Sequence, residues 1–184
     1  MKLLTRIDSA ISNTVLDDKA GQTIDIDELV DKIVTVIKEK QSKNGRLFFI
    51  GNGGSAAIAV HMTADFLKNG GVTTLSMYDP ATLTCLGNDY GYEYVFSKQL
   101  EMHIRENDLL IVISSSGNSQ NIVNAIDVAH ERQAEVVSLT GFKPDNKARK
   151  MADYSVYVPV NEYGIVESVH NLILQEVVDR IGLS

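Results

Sequence analysis

The chain has 184 residues, a formal net charge of −7 and one cysteine, Cys85. The lone cysteine excludes an intramolecular disulfide and suits a reducing compartment. The acidic balance argues against a nucleic-acid surface, and no apolar run reaches the roughly 18–20 residues that span a bilayer.

Taken from the N-terminus, the first twenty residues place Leu4, Ile7, Ile11 and Val15 on one stripe and read as an amphipathic helix. Their acids and sparse hydrophobics do not resemble a secretory signal, so the expected location is the cytoplasm. Residues 24–42 set Ile26, Leu29, Ile33, Val36 and Ile37 at helical spacing, capped by Thr23 or Asp25 and ended by "SKNG". The pattern then changes. Residues 46–50, 72–77, 108–114, 134–140 and 153–160 are short, continuous apolar runs of the kind that form buried parallel strands. Helical stretches at 55–68, 80–87, 93–105, 118–133 and 165–182 separate or follow them. This alternation predicts an α/β fold: a three-layer αβα sandwich around a five-stranded parallel, flavodoxin-like sheet. The whole of 1–184 reads as one domain, with an N-terminal helical pair over 1–44 and the core over 45–184.

In such sheets ligands bind beyond the carboxyl ends of the strands. Two loops there are alike. "GNGGSA" (51–56) follows the first core strand, and "SSSGNS" (114–119) follows the third. Both put glycine and hydroxyl groups at a helix start, where free N–H groups and the helix dipole favour an anion. Lysine and arginine are absent from 51–67 and 114–131, so a phosphate here would be held by neutral donors. Plain turns and serine caps explain each loop equally well when it is taken alone. A dinucleotide reading also stands. Gly51, Gly53 and Ala56 fit G-x-G-x-x-A, and Asp79 falls near the end of the next strand, where a ribose-binding acid would sit. That reading leaves "SSSGNS" without a role.

The runs "FFIGNGGSAAIAVHMTADF", "TCLGNDYGYEYVFSKQLE", "NDLLIVISSSGNSQNIVNAI" and "VVSLTGF" resemble the sugar isomerase (SIS) domain, and within it the phosphoheptose isomerase branch. The resemblance runs from about residue 45 to the C-terminus, and the N-terminal helices also fit. It implies a homotetramer with active sites at subunit interfaces. It implies isomerisation of sedoheptulose 7-phosphate to glycero-manno-heptose 7-phosphate, an early step toward surface heptose. By motif position, Ser114, Ser115, Ser116 and Ser119 would hold the phosphate. Asn52, Gly53, Gly54 and Ser55, with Asn88 and Asp89, would meet the sugar. Some members bind zinc; no nucleotide cofactor is implied.

Isomerisation needs a base beside the carbonyl and a group that shuttles a proton between oxygens. The candidates for this chemistry are Asp65, Glu167 and His170, with Gln175 as a substrate contact. His61 lies four residues before Asp65 on one helix face, and His61, Asp65 and Glu167 make a candidate ligand set for zinc. Here the chain departs from the family's pattern. The family's proposed glutamate base is replaced by the shorter Asp65. Its glutamine and catalytic histidine on the last helix are replaced by Glu167 and Gln175. An amide does no acid–base work near neutral pH, so the family's pair does not transfer intact. A non-catalytic sugar-phosphate-binding regulator is the alternative reading.

Overall fold

A computed structural model describes residues 2–182, apart from the side chain of Asp27. The core strands are β3 (Leu47–Gly51), β4 (Thr74–Ser76), β5 (Leu109–Ser114), β6 (Glu135–Thr140) and β7 (Tyr154–Tyr157). They are parallel and stand in the order β7-β6-β5-β3-β4. Their side chains alternate between two apolar layers, as a pleated strand requires. Leu47, Phe49, Leu109, Ile111 and Ile113 face one layer, while Phe48, Ile50, Leu110 and Val112 face the other.

The first layer is covered by α1 (Leu3–Ser12), α2 (Ile26–Ser42), α3 (Gly54–Lys68) and α8 (Tyr163–Gly182). The second is covered by α5 (Ser97–His103) and α6 (Gln120–Glu131), with Leu83 of α4 (Pro80–Asp89) and Ala148 of α7 (Lys147–Met151) at its margins. The result is the expected αβα sandwich.

The sheet has seven strands rather than five. The predicted first helix stops at Ser12, and residues beyond it form a hairpin of β1 (Val15–Asp18) and β2 (Thr23–Ile24). β1 pairs antiparallel with β7, and so covers what would otherwise be an open sheet edge. The hairpin turn has a local cause. The Asp18 carboxylate accepts from the N–H groups of Ala20 and Gln22, and Gly21 takes a left-handed φ of 77°. Leu16 is fully buried beneath it. The predicted helix over 93–105 divides into a 3₁₀ turn at Tyr92–Tyr94 and the short α5. α7, five residues capped by Asn146, lies between the predicted strands at 134–140 and 153–160, where no helix is predicted from the sequence.

The chain leaves β3 toward β4 on one side and returns to β5 on the other. The strand order therefore reverses between β3 and β5, and a crevice opens at their carboxyl ends. Both glycine-containing loops follow these two strands.

Candidate functional site

The glycine loop is held by a tyrosine that the sequence reading did not single out. β4 ends at Ser76, so it cannot pair with the last residue of β3. The Tyr78 hydroxyl takes its place: it accepts from the Gly51 N–H at 2.7 Å and donates to the Gly51 carbonyl at 2.8 Å. Burial raises the pKa of this hydroxyl above the ordinary tyrosine value, which keeps it a donor. Gly53 precedes α3 at φ 56°, ψ −122°, a conformation that only glycine adopts readily. The site of a Cβ there is open space, so backbone conformation rather than crowding demands the glycine.

The serine loop leaves β5 with Ser114 and Ser115 buried. Gly117 donates to the Ser114 carbonyl at 3.0 Å, and its φ is 62°. The Ser115 hydroxyl is buried and has no hydrogen-bond partner among the described residues. Ser119 is the N-cap residue of α6, yet its side chain makes no capping bond. Two hydroxyls of this loop, one just after β5 and one at the N-cap of α6, are thus uncommitted. The Ser116 hydroxyl accepts only a long 3.4 Å bond from the Asn118 N–H.

An asparagine pair joins the two loops. Asn52 Nδ2 donates to Asn121 Oδ1 at 3.0 Å, and Asn121 Nδ2 donates to Asn52 Oδ1 at 2.9 Å. The Tyr92 hydroxyl donates to the same Asn52 oxygen at 2.8 Å. Asn121 and Tyr92 were not legible as site residues, because the three positions meet only through the fold.

Glu167 stands on the first turns of α8. Its carboxylate lies so close to Gly54 that a Cβ there would come 2.7 Å from Cδ. It therefore sits at the N-terminal end of α3, where that helix's dipole is positive. Helices α3 and α8 run side by side and parallel: Glu167 meets Gly54 at one end, and Val178 meets Gly70 at the other. The groove between them, with a cavity of about 520 Å³, is lined by Gly54, Ile58, Glu167, Asn171 and Gln175.

The remaining candidates fall elsewhere. His61 and Asp65 form a pair at 3.4 Å, and Asp65 also receives a 3.4 Å bond from Asn69. At 1.5 Å per residue they lie roughly 10 and 16 Å along α3 from Gly54. Gln175 donates to Asp179 at 3.4 Å. Asn88 and Asp89 end α4, where the Asn88 amide and the Cys85 thiol both donate to Asp89; these hydrogen bonds reach neither loop. His170 is fully buried, with Nε2 3.1 Å from the Thr140 carbonyl and Nδ1 unpartnered. With no surface exposed, it offers no atom to a ligand in this arrangement of the chain. Asp79 caps α4, accepting from the Thr82 N–H and hydroxyl at 2.7 and 2.8 Å, which explains this acid without a ribose. Among the described residues, no three histidine, cysteine, aspartate or glutamate side chains converge as a metal site. Glu167 therefore does not complete the His61–Asp65 pair within one chain.

Residues 14–141 match the family model of the SIS domain. The chain belongs to the SIS-domain family. A phosphoheptose isomerase from Aneurinibacillus thermoaerophilus is 36% identical over 151 residues, covering 79% of this chain and 76% of the relative. A phosphoheptose isomerase structure from Neisseria gonorrhoeae superposes with a TM-score of 0.80 at 33% identity, over 85% of this chain and 86% of that one. One from Francisella tularensis gives 0.83 at 26% identity over the full length of both. Within the SIS-domain family, the chain falls in the phosphoheptose isomerase branch.

Proposed function

We propose that the chain isomerises a phosphorylated sugar between ketose and aldose, with sedoheptulose 7-phosphate as substrate and glycero-manno-heptose 7-phosphate as product. The observation that carries this reading is the junction of the two loops, through Asn52 and Asn121, at the reversal of strand order. Neutral donors suit the ligand: the uncommitted Ser115 and Ser119 hydroxyls and the N–H groups opening α6 would hold the phosphate. This arrangement offsets an acidic chain whose global field repels anions.

Glu167 is the base in this reading. Its carboxylate adjoins the glycine loop, within reach of a sugar anchored by its phosphate. It takes the proton from the carbon beside the carbonyl and returns it to the former carbonyl carbon, so one group serves both half-reactions. A proton must also pass between the two oxygens. His61 and Asp65 stand too far along α3 to do this in the same chain. They would serve a site shared with a second copy, which fits a homotetramer with active sites at subunit interfaces; light scattering reads that assembly directly. Zinc would draw on His61 and Asp65 as two of its donors. Among the described residues, no third such ligand joins them within one chain. The exposed free thiol of Cys85 suits a cytoplasmic enzyme supplying heptose for surface polysaccharide. Among the described residues, no helix is long and apolar enough to cross a membrane.

The test is exchange of carbon-bound hydrogen in deuterated water, followed by NMR with sedoheptulose 7-phosphate and zinc-supplied protein. Wild type is expected to incorporate deuterium and form the aldose, and Glu167→Gln to do neither. Exchange kept in Glu167→Gln but lost in Asp65→Asn would move the base to Asp65. Tight binding of the sugar phosphate by wild type without exchange or aldose would replace the isomerase with a sugar-phosphate-binding regulator.

A further inference from the structure

We propose that Asn121 is a positioning residue that acts on the sugar through Asn52. It fixes the Asn52 amide so that a single N–H faces a sugar oxygen, and it ties that contact to the phosphate loop. The inference rests on the phosphosugar reading of the site.

A free asparagine offers a ligand two donors and an acceptor. Asn52 in this fold offers less. Its Oδ1 accepts from both Asn121 Nδ2 and the Tyr92 hydroxyl, which occupies both lone pairs. Its Nδ2 gives one hydrogen to Asn121 Oδ1, and one hydrogen remains. Asn52 is therefore committed as a donor, matched to a carbonyl or hydroxyl oxygen. Asn121 itself is 2% exposed, so it acts through its neighbour. It lies in the first turn of α6, two residues after Ser119. A phosphate that orders the start of α6 thereby orders Asn121, and through it the amide facing the sugar. Tyr92 closes the arrangement from the outer side. Its own segment is pinned to α6 by Asn124, which donates to the Glu93 carbonyl at 2.8 Å.

The experiment titrates wild type, Asn121→Ala, Tyr92→Phe and Asn52→Ala with two probes, sedoheptulose 7-phosphate and inorganic phosphate, by calorimetry. Asn121→Ala is expected to weaken the sugar phosphate by about tenfold, the scale of one or two lost hydrogen bonds. Inorganic phosphate should stay within roughly twofold, because its donors are untouched. Asn52→Ala should lose as much as Asn121→Ala, and the double variant should lose no more than either single one. Equal weakening of both probes, additive losses, or no change would overturn the proposal. Tyr92→Phe removes one hydroxyl from an exposed ring and should show the same selective loss in smaller measure. If Asn121→Ala fails to fold, this variant and its pairing with Asn52→Ala decide the matter by the same criteria. A wild type that binds the sugar phosphate no more tightly than phosphate overturns the proposal. A wild type that binds it selectively but forms no aldose overturns only the isomerase reading, and the affinities still judge Asn121.

Discussion

The Glu167 carboxylate rests against Gly54 at the first residue of α3, and no side chain larger than hydrogen fits at residue 54 while it stays there. The conflict in Gly54→Ala falls on the far end of a flexible glutamate, so the fold has an easy way out. Gly54 does not hold a left-handed φ, so alanine meets no backbone penalty there. The expected outcome is a melting temperature at or slightly above wild type. Turnover should fall by about 100-fold or more, the scale of a displaced general base. Turnover near wild type would show that the chemistry does not need Glu167 at this place.

The serine loop makes a separate prediction, because two of its hydroxyls do no structural work. The Ser115 hydroxyl is buried and unpartnered, and Ser119 makes no capping bond. Replacing an N-cap serine ordinarily costs about 1 kcal/mol. Here Ser119→Ala should leave the urea midpoint close to wild type, since no capping bond is lost. Ser115→Ala should do the same, because it removes a desolvated group that gains nothing within the chain. Each should weaken binding of a phosphate ester by roughly 1–3 kcal/mol. Unchanged affinity in both variants would move the phosphate elsewhere.

Gly117 is constrained by backbone as well as by space. Its φ is 62°, and a Cβ would come 2.9 Å from Asn146 Cβ and nearer still to the amide. That amide is occupied: Asn146 caps α7 by accepting from the Arg149 N–H at 2.9 Å and donates to the Lys143 carbonyl at 2.9 Å. A left-handed non-glycine residue costs about 1–2 kcal/mol before any clash. Gly117→Ala should therefore lower stability by more than that in urea unfolding, and should weaken phosphate binding as the loop shifts. A midpoint equal to wild type would mean that the loop and Asn146 relax together.

Much of this was legible in the sequence because the signals were local. Continuous apolar runs marked β3, β5 and β6, and glycine with serine at two strand ends marked the loops that meet at the strand-order reversal. The hairpin of β1 and β2 was hidden because Val15 continues the helical stripe of Leu4, Ile7 and Ile11. Only the turn chemistry of Asp18 and Gly21 spoke against a helix, and it lies beyond Val15. Asn121, Tyr92 and Tyr78 carry no local signal. Their partners lie 69, 40 and 27 residues away, and only the sheet order brings them together. His170 was the converse case: its residue type suggested proton transfer, and burial decided otherwise.

That burial makes His170 a source of pH dependence for the fold rather than for the reaction. Its pKa is lowered from 6.5 to about 4 because the interior disfavours the charged ring, and the Thr140 carbonyl only partly opposes this. The sign follows from the proton count. Between pH 6.5 and 4 the unfolded chain holds a proton at this position that the folded chain lacks, so acid favours unfolding. The contribution is complete above pH 6.5, is lost progressively as pH falls toward 4, and amounts to roughly 3 kcal/mol across the window. Exposed carboxylates add their own acid dependence, so the measurement is a difference. Urea unfolding of wild type and His170→Leu should be compared at pH 7.5, 6.5, 5.5 and 4.5. The variant is expected to lose less stability over this range, even if its stability at pH 7.5 is lower through altered packing. Parallel curves would mean that the imidazole takes up its proton in the folded state near its ordinary pKa, and that the interior around Thr140 accommodates the charge.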